Sequence, residues 1–312
     1  IKMIKGDSFV HCCIINVSLH NKPIAVAYLE KQFPFSDDER ELISIYIDFI
    51  NVINERLKSE SVIQEKNNEL SEEIAKIRKV QVTMLPDFSP VRGYKINSAY
   101  LPANELSGDF IDGYFLDDNT YFFVLCDVSG HGMASAYIGN EIRTLFKTFS
   151  HSSIRYPLRE LVSKVNDSLA RDLRDLYFFG TAIICEFDLS KNTIELVNAG
   201  HPPVFFYNNN EIKELTSKGP LIGLFEGAEY ESIFISMGDN DALLLYTDGI
   251  TETESGSGDL FGEHRLKETF LEYIDESPND IIITIIGSVY EFNDFDEQSD
   301  DITAVCIKKV KK

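Results

Sequence analysis

The chain has 312 residues, 44% of them hydrophobic, and a net charge of -22. That acidity argues against nucleic acid as a partner, because affinity for a phosphate backbone rests on lysine and arginine. The apolar fraction suffices for one large domain plus a smaller element, and no apolar run approaches the ~20 residues of a membrane helix.

The opening Ile1-Lys2-Met3-Ile4-Lys5 is not followed by the long apolar stretch of a signal peptide. Cys12, Cys13, Cys126, Cys185 and Cys306 make an odd set without CxxC spacing, which fits reduced thiols in the cytoplasm rather than zinc. Residues 1–36 hold short β-like runs, Phe9 to Val17 and Pro23 to Leu29, too few to close a core. Residues 37–85 read as helix. Ser36 supplies an N-cap, and Asp37, Asp38 and Glu39 place acids in the first turn. Apolar positions recur at Leu42, Tyr46, Phe49, Ile53 and Leu57, then at Ile63, Leu70, Ile74, Ile77 and Met84, with Asn67 and Gln81 in polar slots of the same stripe. So narrow a stripe predicts a coiled coil and a homodimer through residues 37–85; the alternative is a single helix packed on the domain that follows. Pro86 ends the helix.

Residues 86–312 are β-rich. Tyr121 to Cys126, Thr181 to Phe187, Val204 to Tyr207, Ala242 to Tyr246 and Ile302 to Ile307 are runs of the kind that fill buried strands, and Asn208-Asn209-Asn210 reads as a hairpin tip. Helical patterns lie at Ala134 to Phe149, Leu158 to Leu173, His264 to Ile274 and Asp280 to Phe292. Strands in runs with helices grouped between them predict an α+β fold.

Acids gather where these runs end: Ser107-Gly108-Asp109-Phe110-Ile111-Asp112, Asp127-Val128-Ser129-Gly130-His131-Gly132, Thr247-Asp248-Gly249-Ile250-Thr251-Glu252 and Ser299-Asp300-Asp301-Ile302-Thr303. A single Asp-Gly is an ordinary turn dipeptide. Recurring carboxylates at strand ends, with no lysine or arginine inside the segments, ask instead for cations. Carboxylates without cysteine suit hard ions such as Mg²⁺ or Mn²⁺, and two such ions are the machinery of phosphoryl hydrolysis.

In this order the motifs resemble the metal-dependent protein phosphatase (PPM) family, in its SpoIIE/RsbU-like branch. The resemblance runs from Ile77 to Ile307 and includes Gln81 before Leu85-Pro86, Gly180-Thr181-Ala182, Asn198-Ala199-Gly200-His201-Pro202-Pro203 and Gly219-Pro220-Leu221-Ile222-Gly223 beside the acidic segments. It implies two packed β-sheets flanked by helices, and hydrolysis of phosphoserine or phosphothreonine on a protein, typically an anti-sigma-factor antagonist. It implies Asp127 bridging two metals, the Val128 carbonyl as a further ligand, Asp109 on one side, and Asp248 with Asp300 on the second metal. Asp109 and Asp127 are then the catalytic pair, and Glu252 falls where some members hold a third metal. Asp300 is preferred to Asp301 as the ligand, and Asp112 is read as capping its local turn. His131 is open between a general acid and a structural partner of its Gly-rich turn, whereas His201 is read as structural. Ile24 to Glu30 and Phe35 to Leu42 resemble the end of a GAF sensory domain. A catalytically silent partner-binding module of the same fold is the alternative, and the intact acidic set argues against it.

Overall fold

Strands covered on both faces read as unbroken apolar runs, because each successive side chain meets a different apolar layer. The computed structural model describes the backbone of residues 2–5, 11–19 and 22–31, and residues 36–88, 91–130, 132–173, 178–296 and 298–311. It divides into two compact units, residues 1–74 and 75–312.

In the first unit, β1 (Lys2–Lys5), β2 (His11–Leu19) and β3 (Lys22–Lys31) form an antiparallel sheet in that order. The two β-like runs become β2 and β3; Phe9 and Val10 lie outside the described residues. Helix α1 (Asp37–Thr83) then runs for 47 residues without interruption, and its last nine residues belong to the second unit. Its start is a capping box: the Glu39 amide donates to Ser36 Oγ, while the Ser36 amide donates to the Glu39 carboxylate. No residue of α1 is buried, and Leu42, Phe49, Ile63 and Leu70 are exposed.

The strands of the second unit are β4 (Tyr94–Leu101), β5 (Phe110–Phe115), β6 (Thr120–Val128), β7 (Gly180–Asp188), β8 (Thr193–Ala199), β9 (Val204–Asn208), β10 (Glu211–Leu215), β11 (Ile233–Ser236), β12 (Ala242–Tyr246) and β13 (Ile302–Lys309). They make two five-stranded antiparallel sheets, ordered β10-β9-β12-β13-β4 and β11-β8-β7-β6-β5. The helices are α2 (Met133–Ser150), α3 (Leu158–Asp172), the short α4 (Asp248–Thr251), α5 (Gly262–Glu272) and α6 (Pro278–Phe292). The four longer helices match the helical patterns of the sequence to within two residues at each end.

Strand parity sorts the core into layers. In β6, Tyr121, Phe123 and Leu125 join Ile183, Leu243, Leu245, Val305 and Ile307 in the core between the sheets. Phe122, Val124 and Cys126 face the other way, onto Ile142 and Phe146 of α2 and Val162 of α3. On the second sheet Phe205, Leu244 and Cys306 lie under Phe270 of α5 and Ile281 and Ile285 of α6. The result is helix, sheet, sheet, helix. Between β9 and β10 the hairpin turns on Asn209 and Asn210, both at positive φ (52° and 63°), as the favoured two-residue turn requires. Cys126, Cys185 and Cys306 are buried and free. Among the described residues no helix is long and apolar enough to cross a membrane.

This layering predicts a sharp contrast in stability. Phe123 is 0% exposed and lies between the sheets, so Phe123→Ala should cost about 3–5 kcal/mol. Ile283 is 61% exposed, and Ile283→Ala should stay within about 0.5 kcal/mol. Urea unfolding of both variants measures the difference.

Candidate active site

The parity that builds the inter-sheet core also places the polar residues beyond it. Two positions past Leu125 on β6 stands Asp127, and two before Ile111 on β5 stands Asp109. Two past Leu245 stands Thr247, and two before Val305 on β13 stands Thr303. All four project inward at the same end of the sandwich, where the apolar rows stop.

Asp109 is 2% exposed. Its Oδ2 accepts from the hydroxyls of Thr247, at 3.1 Å, and Thr303. No described hydroxyl or N–H donates to its buried Oδ1. The backbone there is tied down as well: Asp301 Oδ2 accepts from Ser107 Oγ (2.7 Å) and the Gly108 amide (2.9 Å), and its Oδ1 accepts from the Ala103 amide (2.8 Å). Tyr100 donates to the Asp109 carbonyl at 3.3 Å. Gly108 is required by a close approach. A Cβ there would stand 2.8 Å from the Val128 carbonyl oxygen, so only glycine lets the turn lie over that atom.

The remaining acids are gathered by field. Burial, then the charges of Asp248 and Asp300, push the Asp127 carboxyl up to about 7, while a hydrogen bond with Asp109 acts in the opposite sense. Burial, then the Asp127 charge, holds Asp109 well above the ordinary carboxylate range. Asp248, first residue of α4, is raised by burial and by Glu252, whose amide caps the same short helix through the Asp248 carbonyl. Asp127 and Asp248 are half-buried; Asp300 and Glu252 are exposed.

Several residues stand differently from their place in the sequence reading. Asp112 is on the opposite parity from Asp109 and faces the helix layer. There Arg143 of α2 brings Nε within 2.7 Å of its Oδ2, off the N–H axis, and Asp112 Oδ1 accepts from the Gly113 amide at 2.8 Å. It is thus an ion-pair partner as well as a turn contact, and its segment does have a cation, supplied from far along the chain. Asp301 spends both oxygens on the Ala103–Gly108 backbone, while the charges of both Asp300 and Asp301 reach Asp127, that of Asp300 more strongly. Gln81, read as a polar slot in the stripe, exchanges hydrogen bonds with the Ser107 backbone at 3.0 and 3.4 Å. His131 lies outside the described residues. His201 is buried and hydrogen-bonded through both ring nitrogens, to Thr181 and to the Tyr246 carbonyl.

These residues fit a pair of hard cations. The donor set is all oxygen, Asp109 Oδ1 lacks a donor, and a bare glycine opens the approach to the Val128 carbonyl. Among the described residues no three acidic, histidine or cysteine side chains close into a ready cage. Asp127 thus lies in the field of Asp248 and Asp300, and Asp109 in that of Asp127, without a closed ligand shell.

Crowded carboxylates make stability depend on pH. Asp127 titrates near 7 when folded, against an ordinary carboxylate value of 3.8, so between these the folded state holds the extra proton. Stability of the metal-free protein should be fullest below about pH 4 as regards this group, and fall as pH rises through 7. Melting temperatures in chelator at pH 5.5 and 8 check this: the decline should be smaller in Asp127→Asn.

The chain is 33% identical over 184 residues to phosphoserine phosphatase RsbP of Bacillus subtilis, covering 58% of this chain and 45% of that protein. It is 23% identical over 296 residues to phosphoserine phosphatase RsbU of the same organism, covering 94% of this chain and 85% of that one. The chain spans less than half the length of two curated relatives that it matches. The SiaA-PP2C domain of Pseudomonas aeruginosa superposes with a TM-score of 0.69 at 17% identity, over 78% of this chain and 98% of that one, so the second unit has the PP2C-type fold. The model of the family described as Stage II sporulation protein E (SpoIIE) matches residues 117–310, most of the sandwich, and the chain belongs to the SpoIIE family.

Proposed function

We propose that the second unit is a protein serine/threonine phosphatase that hydrolyses phosphoserine or phosphothreonine on a regulatory protein, with two Mn²⁺ or Mg²⁺ ions at Asp109, Asp127, the Val128 carbonyl, Asp248 and Asp300, and a third near Glu252. The observation that supports this reading is the setting of Asp127: it stands where an inward apolar row ends, beside Asp109, and burial, then the charges of Asp248 and Asp300, raise it to about 7. Phosphoserine phosphatases among its relatives support the reaction class. An anti-sigma-factor antagonist is the substrate class implied by the branch it resembles, and the cytoplasm is the corresponding compartment.

Bound there, two hard ions would activate a water and neutralise charge building on the phosphate. The chain's own part is to hold the oxygens. Thr247 and Thr303 orient Asp109 through Oδ2, leaving Oδ1 available. Asp301 and Gly108 hold the turn of residues 107–109 against the Val128 carbonyl. Asp248 sits at the start of α4, where backbone rather than a long side chain sets its position. The intact set of acids in the sequence argues against the silent-module alternative.

Asp127→Asn should abolish turnover of a phosphoprotein, by at least about 10³-fold at saturating Mn²⁺, while the circular dichroism spectrum is unchanged. Near-normal turnover in that variant would sink the mechanism. Running p-nitrophenyl phosphate in parallel, with and without Mn²⁺, separates a protein phosphatase from a hydrolase of small phosphoesters.

Regulation is proposed to enter through α1, following a GAF-like sensory segment. The helix is continuous from Asp37 to Thr83, and Gln81 ends it with its amide on Ser107, two residues from Asp109. Dimerisation through the exposed stripe would bury Ile63, Leu70 and Ile77 against a second copy. A seven-residue insertion near Ser71 should preserve dimerisation and turnover, whereas two or three residues should change both, because they rotate the stripe away from its partner. Analytical ultracentrifugation and turnover of both variants test this: a monomer at micromolar concentration, with both insertions alike, removes the switch and leaves the phosphatase.

A further inference from the structure

His201 is a buried titratable side chain that the chemistry above leaves without a task; it is 6% exposed. Its Nε2 lies 2.9 Å from the Tyr246 carbonyl oxygen, which can only accept, so Nε2 carries the hydrogen and donates. Nδ1 then offers a lone pair, and the Thr181 hydroxyl donates to it at 2.6 Å. Burial pushes the ring's pKa down to about 3, which keeps it neutral and in this one tautomer.

Its two partners stand on different sheets. Thr181 lies on β7 directly opposite Asp127 of β6 in the antiparallel register. Tyr246 closes β12 on the facing sheet and is followed by Thr247 and Asp248. The backbone of His201 is anchored in turn: its amide donates to Asn198 Oδ1 at 2.8 Å, and Asn198 Nδ2 donates to its carbonyl at 2.9 Å. The imidazole therefore has no freedom to follow one sheet away from the other.

Apolar packing between sheets is non-directional and resists a small slip poorly, whereas a pair of metals ~3.5–4 Å apart tolerates little displacement of its ligands. Two directional hydrogen bonds from one rigid ring supply what the core does not. We propose that His201 is a positioning residue, a strut between the sheets that fixes the Asp127 strand against the turn carrying Asp248 and so presets the site for divalent cations. The proposal rests on reading the acidic cluster as a metal centre.

The test titrates Mn²⁺ into the metal-free full chain by calorimetry, for wild type, His201→Gln, Thr181→Val and the double variant. His201→Gln keeps a donor near the Tyr246 carbonyl; Thr181→Val keeps the branched shape and removes the hydroxyl. Each folded single variant should bind Mn²⁺ about 10–100-fold more weakly. Turnover should fall at fixed Mn²⁺ and recover as Mn²⁺ is raised, with KM for the phosphoprotein unchanged. The double variant should lose less than the product of the single losses, because both substitutions cut the same strut. If His201→Gln does not fold, Thr181→Val decides, since Thr181 is only half-buried. Wild-type Mn²⁺ affinity in a folded variant, whatever its melting temperature, overturns the strut alone. A wild-type chain that binds no Mn²⁺ overturns the metal reading, and the strut with it.

Discussion

Everything at this site depends on the two-residue period of a β-strand. Both sheets of the sandwich are covered on both faces, so each central strand must alternate between two apolar layers, and its register is pinned from either side. Asp109, Asp127, Thr247 and Thr303 continue the inward rows of Ile111, Leu125, Leu245 and Val305 by one more step. A one-residue slip in any of these strands would send its carboxylate or hydroxyl into the helix layer. The stability of the core and the geometry of the acids are one constraint.

Burying so much charge requires local repayment, and the end of the sandwich supplies it with hydroxyls and backbone amides. Asp301 is wholly consumed in this way by Ser107, Gly108 and Ala103, and Asp109 half so by Thr247 and Thr303. A Cβ at Gly249 would stand 2.1 Å from the Asp301 carbonyl oxygen, so α4 and the start of β13 meet backbone to backbone. Such contacts are stiff because no side-chain rotamer can relax them.

Much of this was legible in the sequence for physical reasons. β6, β7, β12 and β13 are buried on both faces and appear as apolar runs; the edge strands β4, β5, β10 and β11 do not, since half-exposed strands such as Glu211–Leu215 mix charges with apolar residues. The acidic segments were visible as strand ends. What local reading could not supply was pairing across the chain: Arg143 on Asp112, Gln81 on Ser107, and the hydroxyls of Thr247 and Thr303 on one carboxylate. A parity count could have found part of it. Asp112 is an odd number of residues from Asp109 and so must face away, and Thr247 shares the inward row of Leu245. The stripe of α1 is exposed at Leu42, Phe49, Ile63 and Leu70, while at its end Gln81 and Met84 meet Ser107 and Arg143.

The elevated Asp127 carboxyl also makes protons and cations rivals for the same oxygens. On the proposed reading, a metal entering below neutrality would have to displace the proton, whereas above neutrality it would not. Loading such a centre near pH 7 would then release protons, and acidification would weaken metal binding. On the proposed reading the phosphatase would respond to pH and to metal supply through this one carboxylate.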